Sequence, residues 1–303
     1  MKKTFYSNGK LLITSEYVVL DGAKALALPT KFGQNLIVEE GKNQEIQWTS
    51  YDYDNSFWFE DTFSFSEIKS KTIFENQPIK NTLITILHEA FLLNPIFLEN
   101  STGYTITTQL TFPKFWGLGT SSTLINNIAQ WLQIDAFTLL KNSFGGSGYD
   151  IACAQNNSPI LYQLKNGKPQ IEKISFEPIC IANLYFVYLN QKQNSKAAIA
   201  SYYSKANTIE NSIPLFDDIT TAILRTNDFE NFCSLLLKHE AEMSTILELT
   251  TIQNSLFSDF KGTIKSLGAW GGDFVLVVSR ENPTEYFREK GFETILPYSE
   301  MIL

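Results

Sequence analysis

Three glycine-rich clusters, at residues 112–123, 145–148 and 268–272, concentrate the residues whose types and spacing suit phosphate chemistry. Glycine has no Cβ, so main-chain N–H groups beside it can approach an anion closely. The first cluster contains Gly117-Leu118-Gly119-Thr120-Ser121-Ser122 and runs into a stretch with Leu124, Ile128, Trp131 and Leu132 on one helical face. A Gly-x-Gly turn with hydroxyls at a helix N-terminus supplies free amides, the positive end of the helix dipole and side-chain donors for a polyphosphate. The same hydroxyls could instead cap the helix, Thr120 or Ser121 accepting from an early amide. Neither a GxxxxGK[ST] loop nor a full GxGxxG fingerprint occurs, so those two nucleotide-binding patterns are excluded.

Other chemistries have less to work with. Only His88 and His239 are available, too few for a histidine-rich metal site. Cys153, Cys180 and Cys233 show no CxxC spacing, which suits a reducing compartment better than a disulfide framework. The balance of 32 acidic over 24 basic residues, a net charge of −8, argues against a nucleic-acid groove. No apolar run of about 18 residues occurs, and the first ten residues lack a clean apolar signal core, so no membrane span is expected and the cytoplasm is the expected compartment. With 44% hydrophobic and 18% charged residues the chain can build a sizeable core, and its 303 residues allow two modest domains or one large one.

These clusters need elements to hold them. Residues 10–20 are rich in apolar and β-branched types and read as a strand, with an Asp21-Gly22 turn before a second apolar run at 25–29. Residues 34–40 and 45–51 read as further strands, and Phe57, Phe59, Phe63 and Phe65 as another strand pair. Helical spacing takes over at 80–93, strand alternation returns at 104–111, and a helix is expected from Leu124. A hairpin is predicted around Asn166-Gly167, joining 158–163 to 170–176. The remainder reads as a buried strand at 179–189, helices at 195–207, 213–225, 228–247 and 250–259, and strands at 273–279 and 292–296. On the 228–247 helix, His239 and Glu240 read as solvated-face residues. A domain boundary is placed near residue 170.

Three segments, in order along the chain, resemble the motifs of the GHMP kinases, the family of galactokinase, homoserine kinase, mevalonate kinase and phosphomevalonate kinase. Residues 7–22, beginning Ser7-Asn8-Gly9-Lys10 and containing Ser15-Glu16-Tyr17, resemble the N-terminal PGKxxxxGEHxVxxG motif. Residues 117–122 resemble GLGSSAA, and Lys265-Ser266-Leu267-Gly268-Ala269-Trp270-Gly271-Gly272-Asp273 resembles KxxGAGGGG. A fourth segment, Gly146-Ser147-Gly148-Tyr149-Asp150-Ile151-Ala152, is closer to the GSGFD segment of phosphomevalonate kinases than to the PSGxDN of mevalonate kinases, and it resembles a bacterial group named for the letters GYDIA.

The resemblance implies an α+β chain with a two-domain GHMP kinase fold: an N-terminal domain like ribosomal protein S5 domain 2 over 1–170, which binds ATP, and a C-terminal ferredoxin-like domain over 171–303. It implies Lys10 and Asp150 as catalytic groups, the carboxylate facing the substrate hydroxyl and the cation keeping it ionised. ATP would lie on Gly117, Leu118, Gly119, Thr120, Ser121 and Ser122, with Ser121 the candidate Mg2+ ligand. Substrate contacts would come from Glu16, Ser147, Ser195, Lys196, Gly268, Gly271 and Gly272, although Ser195 could equally cap the helix it begins. Lys192 and Lys196 are read either as phosphate contacts or as solvent-facing charges. The implied acceptor is 5-phosphomevalonate, with mevalonate second, in a monomer or homodimer that binds no nucleic acid and no membrane. The rival is a nucleotide-binding protein without kinase activity.

The departures from the family pattern are Asn8 for proline, Ser15 for glycine, Tyr17 for histidine and Trp270 for glycine. Trp270 is read either as shaping a substrate pocket or as an exposed aromatic packing on a neighbouring helix. Only Asp135 supplies an acidic group between Ser122 and Gly145, where mevalonate kinases carry a metal-binding glutamate, so magnesium would rest mainly on phosphates and water.

Overall fold

A computed structural model describes residues 2–192, 195–205 and 212–303, apart from the side chains of residues 195, 196 and 205. Its strands are β1 (Lys3–Leu12), β2 (Ala25–Glu40), β3 (Glu45–Tyr51), β4 (Phe57–Ser64), β5 (Tyr104–Leu110), β6 (Ile160–Lys165), β7 (Lys168–Lys173), β8 (Leu184–Tyr188), β9 (Thr263–Ser266), β10 (Phe274–Val278) and β11 (Ile295–Pro297). Two units divide the chain. The first is Met1–Gly9, Phe32–Lys114 and Leu118–Gln155; the second is Lys10–Lys31, Phe115–Gly117 and Asn156–Leu303.

In the first unit β4 and β3 are antiparallel, β3 and β5 parallel, and β5 antiparallel to the Gln34–Glu40 part of β2. Alternation places Ile46 and Trp48 of β3 and Ile106 and Leu110 of β5 in the interior, as period-2 side chains on a half-buried sheet should be. Helices Pro78–Leu93 and Thr120–Leu132 lay Leu83, Ile86, Leu87, Ile125, Ile128 and Leu132 into the same core. Helix Ala136–Ser143, capped by Asp135 accepting from the Thr138 amide, adds Leu139 and Leu140.

In the second unit the Ala25–Ala27 end of β2 pairs with β6, and β6 with β7 through the Asn166-Gly167 turn, both residues having positive φ. A separate antiparallel sheet has the order β11-β8-β10-β9. Every residue of β10, Phe-Val-Leu-Val-Val, is buried, as expected for a strand covered on both faces. Helices Ile213–Arg225 and Phe229–Leu247 pack against each other, and the latter against β9.

Several sequence expectations shift. β1 ends at Leu12, and residues 13–22 form an irregular turn closed by a 3-10 segment at Val18–Asp21, because Ser15 and Tyr17 take left-handed φ. The runs at 25–29 and 34–40 are one strand. Phe65 leaves β4 for the helix Phe65–Ser70, whose start is fixed by a capping box between Ser64 and Glu67. The 179–189 strand shortens to Leu184–Tyr188, and β9 lay unread just before the third glycine cluster. The C-terminal part of the expected 195–207 helix lies outside the described residues. Among the described residues no helix is long and apolar enough to cross a membrane.

Candidate functional site

Helix Thr120–Leu132 follows Gly119, whose φ of 95° is available to glycine without strain. No side chain caps its first turn. The hydroxyls of Ser122 and Thr123 donate to the Gly119 carbonyl at 2.9 and 3.1 Å, and Thr123 also donates to Gln34 Oε1 at 2.8 Å. Those of Thr120 and Ser121, both half-buried, make no hydrogen bond among the described residues. The capping alternative therefore does not hold: neither the Thr120 nor the Ser121 hydroxyl accepts from an amide of this first turn.

Asp150 stands in the first turn of helix Tyr149–Ala154, entered through Gly148 at φ 89°. Its Oδ1 accepts from the Ile151 amide at 3.0 Å. Ile151 joins Ile125 and Ile128 in the core, and Gln155 Nε2 donates to Asn126 Oδ1 at 2.9 Å, so this short helix rides on the Gly119 helix. Ser147 is buried beside it, whereas a Cβ built on Gly145 or Gly146 would meet nothing within 4 Å.

In the second unit, half-buried Lys10 on β1 donates from Nζ to the Gly117 carbonyl at 3.2 Å. Gly117 has φ +69°, and a Cβ there would lie 2.3 Å from the carboxylate carbon of Asp273. Asp273 itself has a left-handed φ of 52° and is fixed by its amide donating to the Gln191 carbonyl at 2.6 Å. Phe115 and Trp116 are seated by Tyr188, whose hydroxyl donates to the Phe115 carbonyl at 3.0 Å, and by the Trp116–Phe274 edge contact at 5.4 Å. Burial, with the Asp273 charge behind it, raises the Tyr188 phenol above its ordinary range. Thus Lys10, the first residue of the middle motif and the last of the third meet.

Glu16 is 1% exposed, and its Oε1 accepts from Lys265 Nζ, itself fully buried on β9. His239 Nε2 lies 3.4 Å from Glu16 Oε2 and accepts the Ser15 amide at 2.7 Å, so this ring is neutral with its proton on Nδ1. Glu240 Oε1 accepts from the amide and hydroxyl of Ser266 at 3.1 and 2.6 Å. Burial pushes the Glu16 carboxyl up to about 7 against the pull of Lys265, raises Glu240, and with the Lys265 charge holds His239 well below its usual value. The solvated-face reading of His239 and Glu240 is therefore corrected. Both are buried because the stripe Phe232, Leu236, Met243 and Leu247 that drives the helix inward passes through that turn. That stripe was the signal available; Lys265 was marked by its place at the head of the third motif, but nothing in the sequence pointed to its burial in a four-residue strand.

The backbone at this cluster is strained. Ser15 has φ 65°, where the family pattern has glycine, and the Val18 amide donates to the Glu16 carbonyl at 2.8 Å around Tyr17 at φ 62°, ψ −54°. A γ-turn of this hand is rare, and such residues cost about 1–3 kcal/mol each. Ser15 Oγ donating to the Lys24 carbonyl at 2.5 Å, and Leu26 N donating to Thr14 Oγ1 at 2.9 Å, help to hold it.

Gly268 and Gly271 of the third cluster take φ of 62° and 93°, and Gly272 is buried. Trp270 is 6% exposed and lies in a core cluster with Tyr17, Phe216 and Met243, so the reading of it as an exposed aromatic is corrected: the indole is buried. Lys192 lies over the Phe115 ring at 5.8 Å. The side chains of Ser195 and Lys196 lie outside those described. Among the described residues no group of three His, Cys, Asp or Glu side chains could hold a metal. The free Ser121 hydroxyl is a hard oxygen donor that fits a magnesium ion held chiefly by phosphates and water.

No family model matches the chain, and no curated protein matches it. Solved structures do. Mevalonate kinase from Methanococcus jannaschii superposes with a TM-score of 0.69 at 17% identity, over 98% of this chain and 97% of that one. Streptococcus pneumoniae phosphomevalonate kinase in complex with phosphomevalonate and AMPPNP gives 0.69 at 14%, over 99% and 98%. Lactococcus lactis galactokinase complexed with galactose gives 0.70 at 13%, over 95% and 88%. With two sheets, mixed helices and strands, and matches along essentially its whole length, the chain has the two-domain α+β fold of the GHMP kinases.

Proposed function

We propose that this chain is an ATP-dependent small-molecule kinase, and that its acceptor is 5-phosphomevalonate. The observation that carries the reading is the uncapped first turn behind Gly119, with Thr120 and Ser121 unengaged, in a chain of this fold. The triphosphate would lie on these amides, its charge met by the helix dipole. Ser121 would hold the magnesium ion, which when bound offsets the phosphate charge.

Lys10 is the proposed cation for the transferred phosphoryl group, and Asp150 the carboxylate that orients the acceptor hydroxyl and takes its proton. Catalysis of this kind is positioning plus electrostatics. The remaining proposed contacts are Ser147, Ser195, Lys196, Gly268, Gly271 and Gly272, with the working boundary between the ATP-binding and C-terminal halves near residue 170. The acceptor is chosen because Gly146 to Ala152 resembles the GSGFD segment of phosphomevalonate kinases. Mevalonate is the second reading.

The test is release of ADP from magnesium-ATP on adding 5-phosphomevalonate, mevalonate, galactose or homoserine separately. Turnover with 5-phosphomevalonate supports the proposal; good turnover with mevalonate alone transfers it to the second reading. ATP binding without acceptor-dependent ADP would point to the non-catalytic rival.

A further inference from the structure

The Glu16–Lys265 pair joins two motif segments, Glu16 lying within the first and Lys265 opening the third. Glu16 follows the β1 strand that bears Lys10, within the strained turn at Ser15 and Tyr17. Lys265 stands on β9, immediately before the glycines at 268–272, and its Nζ also donates to the Ser266 carbonyl at 2.9 Å. Helix Phe229–Leu247 braces both sides, His239 accepting from the Ser15 amide and Glu240 from Ser266. A side chain on one helix turn thus grips each segment.

This is a costly way to fill a core. Desolvating an ammonium and two carboxyls is unfavourable, and well-packed apolar residues in place of a buried pair are often as stable. Among the described residues the cluster also leaves Glu16 Oε2, Glu240 Oε2 and His239 Nδ1 without hydrogen-bond partners. Strained φ, desolvated charge and unpartnered atoms all sit at the junction of the two motif segments, where apolar packing would not fix a single geometry. Directional bonds would.

We infer that Glu16 and Lys265 are positioning residues, whose buried bond ties the turn after Lys10 to the strand entering the third glycine segment and so fixes both. Glu16 then acts through Lys265 rather than by touching substrate. The consequence for turnover rests on the kinase reading; the mechanical tie does not.

Glu16→Gln, Lys265→Met and the double variant test it by hydrogen exchange, melting temperature and steady-state kinetics. Each single variant should speed exchange in both residues 13–22 and residues 265–273 while β10 stays protected. The double variant should recover melting temperature yet keep fast exchange in both segments. Its kcat should remain low, by on the order of 10²-fold as for a small misplacement of reacting groups, with KM for ATP little changed. Exchange that rises only in the mutated segment, or a double variant that regains kcat along with its melting temperature, would overturn the inference. If the single variants fail to fold, wild type against the double variant makes the same comparison. Should the wild type transfer phosphate to no acceptor, the kinase reading fails, and the exchange of the two segments still decides whether they are tied.

Discussion

Lys10 Nζ donates to the Gly117 carbonyl at 3.2 Å, so the cation of the first motif is anchored to the residue that opens the middle glycine motif. Replacing it separates anchoring from charge. Lys10→Met should lower kcat by roughly 10²–10³-fold, the loss typical of one removed charge-stabilising donor. Binding of a non-hydrolysable ATP analogue, measured by calorimetry, should weaken far less. A variant with near-normal kcat would remove Lys10 from the chemistry.

Ser121 and Ser122 are neighbours with different employment. Ser122 Oγ donates to the Gly119 carbonyl, whereas Ser121 is unengaged among the described residues. Ser122→Ala should therefore cost stability, about 0.5–1.5 kcal/mol for one hydrogen bond, with little change in nucleotide affinity. Ser121→Ala should do the reverse, weakening magnesium-nucleotide binding with an unchanged melting temperature. Equal effects in calorimetry would show that neither hydroxyl meets the metal.

The buried carboxyl of Glu16 makes stability depend on pH in a defined direction. Burial raises it from 4.5 to about 7, so between these values the folded chain holds a proton that the unfolded chain has released. Its contribution is complete below 4.5 and is lost as pH rises to about 7. His239 works oppositely: held neutral well below 6.5, it contributes above 6.5 and loses that contribution as the pH falls. Lys265 and Glu240 face the same cluster and remain in both proteins compared. Urea unfolding of wild type and Glu16→Gln should give a stability difference that shifts against the wild type as pH climbs through this window. A difference shifting the other way would contradict the burial argument.

Trp270 is part of the core, packed with Tyr17, Phe216 and Met243. Trp270→Ala should destabilise the chain by about 3–5 kcal/mol, as large-to-small core changes do. Unfolding followed by circular dichroism measures this, and a loss below 1 kcal/mol, the scale of surface changes, would return the indole to the solvent side.

How far the sequence could be read depended on what each residue type advertises. Alternation at 104–111 and the spacing of Leu124, Ile128, Trp131 and Leu132 exposed β5 and the helix behind Gly119, because apolar periodicity reports directly which face is buried. The glycine clusters were legible for the same reason: positive φ at Gly117, Gly119, Gly148 and Gly271 is what that residue permits. The turn at 13–22 was hidden because Ser15 and Tyr17 adopt such φ without being glycine, Ser15 being held by the bonds it donates to the Lys24 carbonyl and His239 Nε2. Lys265 was hidden because lysine is almost never fully buried unless paired, and its partner stands 249 positions away.

The central claim is phosphoryl transfer to a hydroxyl that faces Asp150, and one measurement addresses it most directly. Wild type and Asp150→Asn are incubated with magnesium-ATP and 5-phosphomevalonate, and ADP and the phosphorylated product are followed together. The account predicts acceptor-dependent, stoichiometric ADP and product from the wild type, and a kcat lower by ~10²–10⁴-fold in Asp150→Asn with nucleotide binding retained. Near-equal turnover by the two proteins, or no acceptor-dependent ADP from the wild type with any acceptor offered, would contradict it.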